Sequence, residues 1–341
     1  MAGIYTEDPG FNRCNDMPHR YQVYARSAKE LLPLQLGLSC FVWEGSHYEA
    51  HTFNIYLFPQ RFENYNLRFL CSADAMRFLS SVGFDFNKCF AAGVPFMPIS
   101  LRDAKLAYAK EPRRAPRCPP NLSIVVKRVK SIVQAWLQSN EPTLELEPTG
   151  PFRRGVLREA LVQLAAGKEK RGKDTFYMEE VAAGEGGTQT ALRLVRASAA
   201  EVAAVEEREA QRYEESVWEA AGASQVMELV RDGGKPVVFH NAVLDVPFLL
   251  ERLVAPLPAS YAKYKELVQT WFPGGLYDTK YIANCLSGIS VGVTSLGPLH
   301  EALLYQRDEA ISRWLADCGS PDAWLPPVKH APGFQRYRQS E

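Results

Sequence analysis

The feature that most constrains this chain is a short apolar run that stops at two polar residues. Val237-Val-Phe239 ends at His240-Asn241, and a single carboxylate, Asp245, follows four residues later. The pattern predicts a buried strand that delivers polar groups to its end, then a helix whose first turn carries Asp245. Further on, Leu276-Tyr-Asp-Thr-Lys280 gives a second strand end with a second carboxylate, Asp278. Carboxylates brought by separate strands suit a divalent cation, because one Asp alone holds such an ion poorly. An Asp capping a helix and an Asp in a turn satisfy the same pattern. The spacing alone does not choose between them.

The 341 residues are 46% hydrophobic and 23% charged, enough for two domains or for one domain with an insertion. The formal net charge is zero, so any nucleic-acid contact rests on local basic patches rather than on a global field. Cys14, Cys40, Cys71, Cys89, Cys118, Cys285 and Cys318 are scattered, odd in number and free of any Cys-x-x-Cys pair. That argues against a zinc site and fits a reducing compartment. No apolar run reaches membrane-spanning length and no signal-peptide core opens the chain. No membrane association is expected.

Residues 1–30 read as polar and broken, with Pro9, Gly10 and Pro18 among them. Leu34–Trp43 and Ala50–Phe58 read as a strand pair. The second alternates, with Phe53 and Ile55 on one face and Asn54 and Tyr56 on the other. Asp74–Leu79 reads as a helix capped near Ser72, followed by a turn through Gly83–Lys88. Residues 100–120 mix Arg102, Lys105, Arg113, Arg114 and Arg117 with several prolines and read as an exposed connector. Helical spacing then spans Ser123–Gln138 and Phe152–Leu164, the latter carrying Arg153, Arg154 and Arg158. Short strands are expected at 176–179 and 190–195, and the Glu- and Ala-rich stretch 201–219 as a solvated helix. From Ala223 an α/β pattern resumes, closing with a helix over 295–304 and a proline-rich tail. The expected organisation is one sheet domain, residues 1–110 and 223–341, interrupted by a small domain at 118–196, with a charged helical link at 197–222.

Several segments together resemble the poly(A)-specific ribonuclease branch of the DEDD exonuclease superfamily. They are Leu34-Gln-Leu-Gly-Leu38, Phe53-Asn-Ile-Tyr-Leu-Phe-Pro59, Gly83-Phe-Asp-Phe-Asn-Lys88, His240-Asn-x-x-Leu-Asp245, Pro256-Leu-Pro258, Phe272-Pro273, Asp278-Thr-Lys280 and Thr294-Ser-Leu296. They run in family order across nearly the whole chain. Leu144-Glu-Leu-Glu-Pro148, Phe152-Arg-Arg154 and Leu161 resemble the family's Arg–His type single-strand-binding insert, although Arg158 stands where that motif has its His. The resemblance implies an α/β fold: a ribonuclease H-like mixed-sheet nuclease core interrupted by a small α+β single-strand-nucleic-acid-binding insert. It implies 3′-to-5′ removal of nucleotides from poly(A) by two-metal-ion hydrolysis with Mg²⁺, in the nucleus or cytoplasm. The implied partners are RNA rather than DNA, and a second copy in a homodimer.

By the same resemblance Asp245 is a catalytic residue and one of four acidic metal ligands. The family's first two form an Asp-x-Glu pair just before a Gly-Ile step. Here that step is Gly3-Ile4, so both would precede Met1. Glu7 and Asp8, in a Pro-Gly loop, read as surface residues. The fourth ligand belongs to a His-Glu-Ala-Gly-x-Asp motif. His300-Glu-Ala302 approximates it, but Leu303 replaces the Gly, Tyr305 stands at the Asp position and Asp308 comes late. Pro326–Phe334 resembles the linker that precedes the true motif. The expectation is therefore a chain incomplete at both ends of its nuclease core and inactive by itself.

The adenine-lining positions implied by the resemblance are Ile4, Phe53, Ile55, Asn241, Leu244, Lys280 and Leu296, with Arg153, Arg154 and Arg158 as phosphate contacts. Apolar faces sandwich a base, an amide reaches base or sugar, and a cation meets a phosphate. The alternative is a catalytically dead, nuclease-like protein that binds RNA or dimerises. A small-RNA 3′-trimming nuclease is a third option, with the 120–195 block arguing against members that lack it.

Overall fold

The computed structural model describes residues 16–110, 119–166, 175–183, 189–285, 294–303 and 328–332. The chain divides into two compact units, Met1–Lys105 with Val217–Glu341, and Leu106–Ser216.

The first unit opens with α1 (Met17–Glu30). Asp16 caps it by accepting the His19 amide at 3.0 Å, and Pro18 occupies the first turn, where a missing N–H costs nothing. This corrects the broken, polar reading of residues 1–30. One side of α1 buries Tyr21, Val23, Tyr24 and Ala28. β1 (Gln35–Trp43) and β2 (Tyr48–Tyr56) pair antiparallel, with Leu36 opposite Ile55 and Leu38 opposite Phe53. Ser72 caps α2 (Ala73–Ser81). The expected turn at 83–88 is shorter than read, because Asp85 accepts the Lys88 amide at 2.9 Å and starts α3 (Phe86–Ala92).

The connector reading fails in part at α4 (Ile99–Lys110). Arg102 is 3% exposed, its guanidinium 4.2 Å over the Trp218 ring and bonded to Glu228 and Asp103. A basic, proline-rich stretch looks solvated in sequence, but these distant partners pull its first turn inward. Arg113, Arg114 and Arg117 lie outside the described residues.

The second unit contains α5 (Ser123–Gln138), β3 (Thr143–Glu145), α6 (Pro151–Ala166), β4 (Phe176–Ala183) and β5 (Gln189–Arg196). Its sheet is antiparallel in the order β3-β5-β4. Val126, Val133 and Trp136 of α5 and Leu157 and Leu161 of α6 close over Phe176, Leu192 and Leu194. The spacing of Val126, Val133 and Trp136 puts them on one helical stripe, and Ile124 is left 78% exposed. α7 (Ala199–Ala221) begins with a reciprocal cap. Ser198 Oγ accepts the Glu201 amide and Glu201 accepts the Ser198 amide.

Back in the first unit come α8 (Gln225–Gly233), β6 (Val237–Phe239), α9 (Ala242–Leu249), a π turn at Leu250–Val254, α10 (Tyr261–Trp271), β7 (Leu276–Asp278) and α11 (Thr279–Cys285). Residues 296–303 are helical. β8 (Val328–His330), inside the expected proline-rich tail, pairs in parallel with β2. β6 and β7 run parallel, with Phe239 opposite Asp278. β6 is not the buried strand expected, since Val238 is 63% exposed. Gly274 lets the two strands approach, because a Cβ there would strike the backbone of Gly234 and Lys235. Leu34, Leu57, Phe96, Met227, Val246, Leu250, Leu253 and Phe272 form the core beneath. The architecture is mixed α/β, with helices around small sheets.

Candidate functional site

The site grows from the paired ends of β6 and β7. Beyond β6 the chain turns through His240 and Asn241, and Asn241 adopts a φ of 70°, a left-handed conformation that Asn tolerates better than most residues. The Asp278 carboxylate pins this turn. Its Oδ1 accepts the Asn241 amide and its Oδ2 the Ala242 amide, each at 2.9 Å. Oδ1 also accepts from the amides of Lys280 at 2.9 Å and Tyr281 at 3.4 Å. One carboxylate therefore serves the N-terminal ends of α9 and α11 together. Burial works to raise its pKa, but these four N–H groups outweigh burial and hold it below the ordinary carboxylate value. Asp278, a strand-end candidate for metal binding in the sequence, is spent as a cap.

A second tie joins the strand ends. Thr279 Oγ1 donates to the Phe239 carbonyl at 3.1 Å and lies 3.0 Å from His240 Nδ1. With the hydroxyl proton so committed, His240 Nδ1 is the donor in that pair.

Asp245 sits one turn into α9, half-buried. No hydrogen bond or ion pair engages it among the described residues. Burial pushes its pKa up, the negative charge of Asp278 adds to that, and His240 opposes it. A desolvated carboxylate that no described residue pairs or bonds with is suited to take a cation. Among the described residues, however, no group of three or more His, Cys, Asp or Glu side chains could hold a metal ion. The described residues alone do not fit a pair of divalent cations, and Asp245 offers one ligand.

Of the residues singled out in the sequence, Asn241, Leu244, Asp245 and Lys280 come together around Asp278. Leu244 is half-buried, its amide bonded to the Asn241 carbonyl at 3.1 Å. Ile55 packs on the same core as Ala242 and Val246, while Phe53 is 42% exposed. Leu296 is exposed, and no described contact joins it to the others. Ile4, Glu7, Asp8, Tyr305 and Asp308 lie outside the described residues; His300 and Glu301 are exposed.

In the second unit Arg153 is exposed on α6. Arg154 is turned inward, donating to the Thr149 carbonyl at 2.6 Å and pairing with Glu180 at 3.4 Å. Arg158 pairs with Glu209 at 3.5 Å. Neither pairing is visible in the sequence, because the acceptors lie far off along the chain. The scaffold roles of Asp278 and Thr279 were not assigned from sequence. Their signal was an Asp-Thr pair placed where a strand stops and a helix starts.

A mixed α/β unit with a desolvated carboxylate at a capped strand end fits a nuclease. A CAF1 family ribonuclease profile matches residues 1–333, and the chain belongs to that family. The poly(A)-specific ribonuclease PARN of Danio rerio is 29% identical over 310 residues, covering 83% of this chain and 45% of the relative. The Homo sapiens PARN is 29% identical over 291 residues, covering 78% and 44%. The pre-piRNA 3′-exonuclease trimmer of Bombyx mori is 27% identical over 281 residues, covering 79% and 49%. The chain thus spans less than half the length of these curated relatives. Nucleases of this family are normally metal-dependent.

Proposed function

We propose that this chain is the nuclease part of a poly(A)-specific 3′-to-5′ exoribonuclease that uses Mg²⁺. The observation that carries this reading is Asp245, a desolvated carboxylate with no hydrogen bond or ion pair among the described residues, beside Asn241 and Lys280 at a turn pinned by Asp278. Asn241 offers an amide to the terminal base or sugar and Lys280 an ammonium to its phosphate. Leu244, with Ile55, Phe53, Ile4 and Leu296, supplies apolar faces for adenine. The first unit is read as a ribonuclease H-like core and the second as a single-strand-binding insert, with Arg153 as its phosphate contact. The protein is read as a homodimer acting in the nucleus or cytoplasm. Asp245 alone does not hold paired cations. The described residues thus account for binding and orienting an RNA end rather than for the hydrolytic step.

A second reading, favoured by the want of a three-ligand cluster among the described residues, is an RNA-binding or dimerising protein without catalysis. Incubating the full chain with 5′-labelled oligo(A) and Mg²⁺ separates the two. A ladder shortening from the 3′ end, lost in Asp245→Asn, supports the exonuclease. Binding without shortening supports the second reading, and neither binding nor shortening overturns both.

A further inference from the structure

Two open aromatic rings flank the Asp278 carboxylate along the chain. Tyr277 precedes it and is 50% exposed; Tyr281 follows Lys280 and is 70% exposed. The period of each element explains why. On β7, Leu276 turns toward the core, as do Val237 and Phe239 on the paired strand β6. Tyr277, opposite Val238, takes the alternate side. On α11, Thr279 is tied to the Phe239 carbonyl and Ala283, one turn later, is buried. Tyr281 falls midway between them and points away from that packed side. The Tyr277 ring leans on backbone, since a Cβ at Gly275 would lie 3.1 Å from its Cε2. Among the described residues, no hydrogen bond or ring contact engages either tyrosine side chain. The backbone of Tyr281 belongs to the candidate site itself. Its amide lies 3.4 Å from Asp278 Oδ1, the same oxygen that accepts the amides of Asn241 and Lys280 at 2.9 Å.

An exposed apolar side chain standing alone is ordinary on a protein surface. Two rings that bracket a cation beside a strand-end site are a different arrangement. A single strand is held by flat rings that stack on its bases and by cations that meet its phosphates. In a duplex the bases already stack on one another and offer such rings no face, so the fitting occupant is a single strand. An RNA end seated at Asn241, Lys280 and Asp245 trails further nucleotides, and these must leave past the surface around it. We propose that Tyr277 and Tyr281 stack the bases of nucleotides upstream of that 3′ end, with Lys280 between them in the chain as the phosphate contact. The inference rests on the reading of Asn241, Lys280 and Asp245 as the seat of the end, and extends it by the bases that follow. It assigns part of the preference for an oligonucleotide over a mononucleotide to stacking rather than to charge.

The test uses the full chain carrying Asp245→Asn, so that RNA is bound and not shortened. Affinities for oligo(A) and for adenosine monophosphate are measured with Tyr277→Ala, Tyr281→Ala and the corresponding Phe variants added. Each Ala variant should weaken oligo(A) binding about five- to a hundredfold, the span of one lost stacking contact. Binding of the mononucleotide should stay in place, and so should the slope of log affinity against log salt, because no phosphate contact is lost. Phe keeps the ring and should retain the affinity. Both side chains are exposed, so the melting temperature should hold. An oligo(A) with abasic residues upstream of its last nucleotide supplies the partner half of the cycle. The parent should bind it about as weakly as the Ala variants bind intact oligo(A), and the Ala substitutions should cost nothing further on it. Loss in one Ala variant alone assigns the stack to that ring and supports the proposal. Affinity for oligo(A) unmoved in both, an equal fall for the mononucleotide, or losses that add on the abasic strand overturns it. Loss of oligo(A) binding in Lys280→Ala with both Tyr variants unmoved defeats this inference and leaves the proposed exonuclease standing. A parent that binds no oligo(A) overturns the two together.

Discussion

The Asp278 carboxylate accepts the backbone N–H of Asn241 at 2.9 Å, and through that bond a residue on β7 sets the conformation of the turn that opens α9. The same carboxylate holds Ala242, Lys280 and Tyr281. Asp278→Ala leaves these donors without an acceptor and frees Asn241 from its left-handed conformation. The expected loss is about 2–3 kcal/mol, the scale of a charge-assisted cap, read from urea unfolding. The folded pKa of Asp278 is depressed, so its contribution is present above the unfolded carboxylate value and is lost as pH falls through the folded one. Asp278→Asn should therefore flatten the acid limb of the stability curve. An acid limb unchanged from wild type would refute the capping role.

Asp245 has the opposite sign. Burial raises its folded pKa, so its contribution is favourable below the unfolded value and is lost as pH rises through the folded one. Ionised Asp245 is thus a cost at neutral pH, and Asp245→Asn should be the more stable protein at pH 8, with the difference gone near pH 3. A cation beside the carboxylate offsets the same cost. Millimolar Mg²⁺ should raise the melting temperature of the wild type and leave Asp245→Asn unmoved. Equal shifts in the two proteins would count against Asp245 as a metal ligand.

The parts of this fold that read directly from sequence are those whose signal is local. α5 and the β1–β2 pair are strong enough in their own residues to show their type, and α9 carries its Asp in the first turn. What escaped depends on partners far along the chain. Arg102 reads as solvated because Trp218 and Glu228, which bury it, lie in another segment. Asp278 as cap and Asp278 as ligand differ only in where the Asn241 amide comes to rest. β8 has three residues and exists through its pairing with β2. α1 is legible in its own residues: Asp16 and Pro18 mark a helix start, and Tyr21 and Tyr24 give it an apolar face, inside a stretch whose overall polarity hides it.

Arg102 offers a second stability test. It donates to Glu228 and Asp103 and stacks on Trp218 while nearly fully buried. Arg102→Ala strands the Glu228 carboxylate and removes the stacking. A loss of about 3–5 kcal/mol is expected, the scale of breaking a buried pair. Replacing both partners in Arg102→Met, Glu228→Met should recover much of it. Urea midpoints of the two variants check the claim; a double variant as unstable as the single one would show that the pairing is not what stabilises this position.

Arg153 and Arg154, neighbours on α6, should separate binding from folding. Arg153 is exposed, whereas Arg154 is spent on the Thr149 carbonyl and Glu180. If the second unit holds the phosphates of a single strand, Arg153→Ala removes one phosphate contact. The slope of log affinity against log salt then falls by about 1, and the unfolding midpoint stays in place because nothing internal is lost. Arg154→Ala should do the reverse. It removes a buried donor and leaves the Thr149 carbonyl open, a cost of about 1–3 kcal/mol, and it changes RNA affinity only as far as the fold is weakened. Fluorescence anisotropy with labelled oligo(A) at several salt concentrations, beside urea unfolding of the same variants, reads both quantities. An Arg153→Ala protein with an unaltered salt slope would remove α6 from the RNA-binding surface.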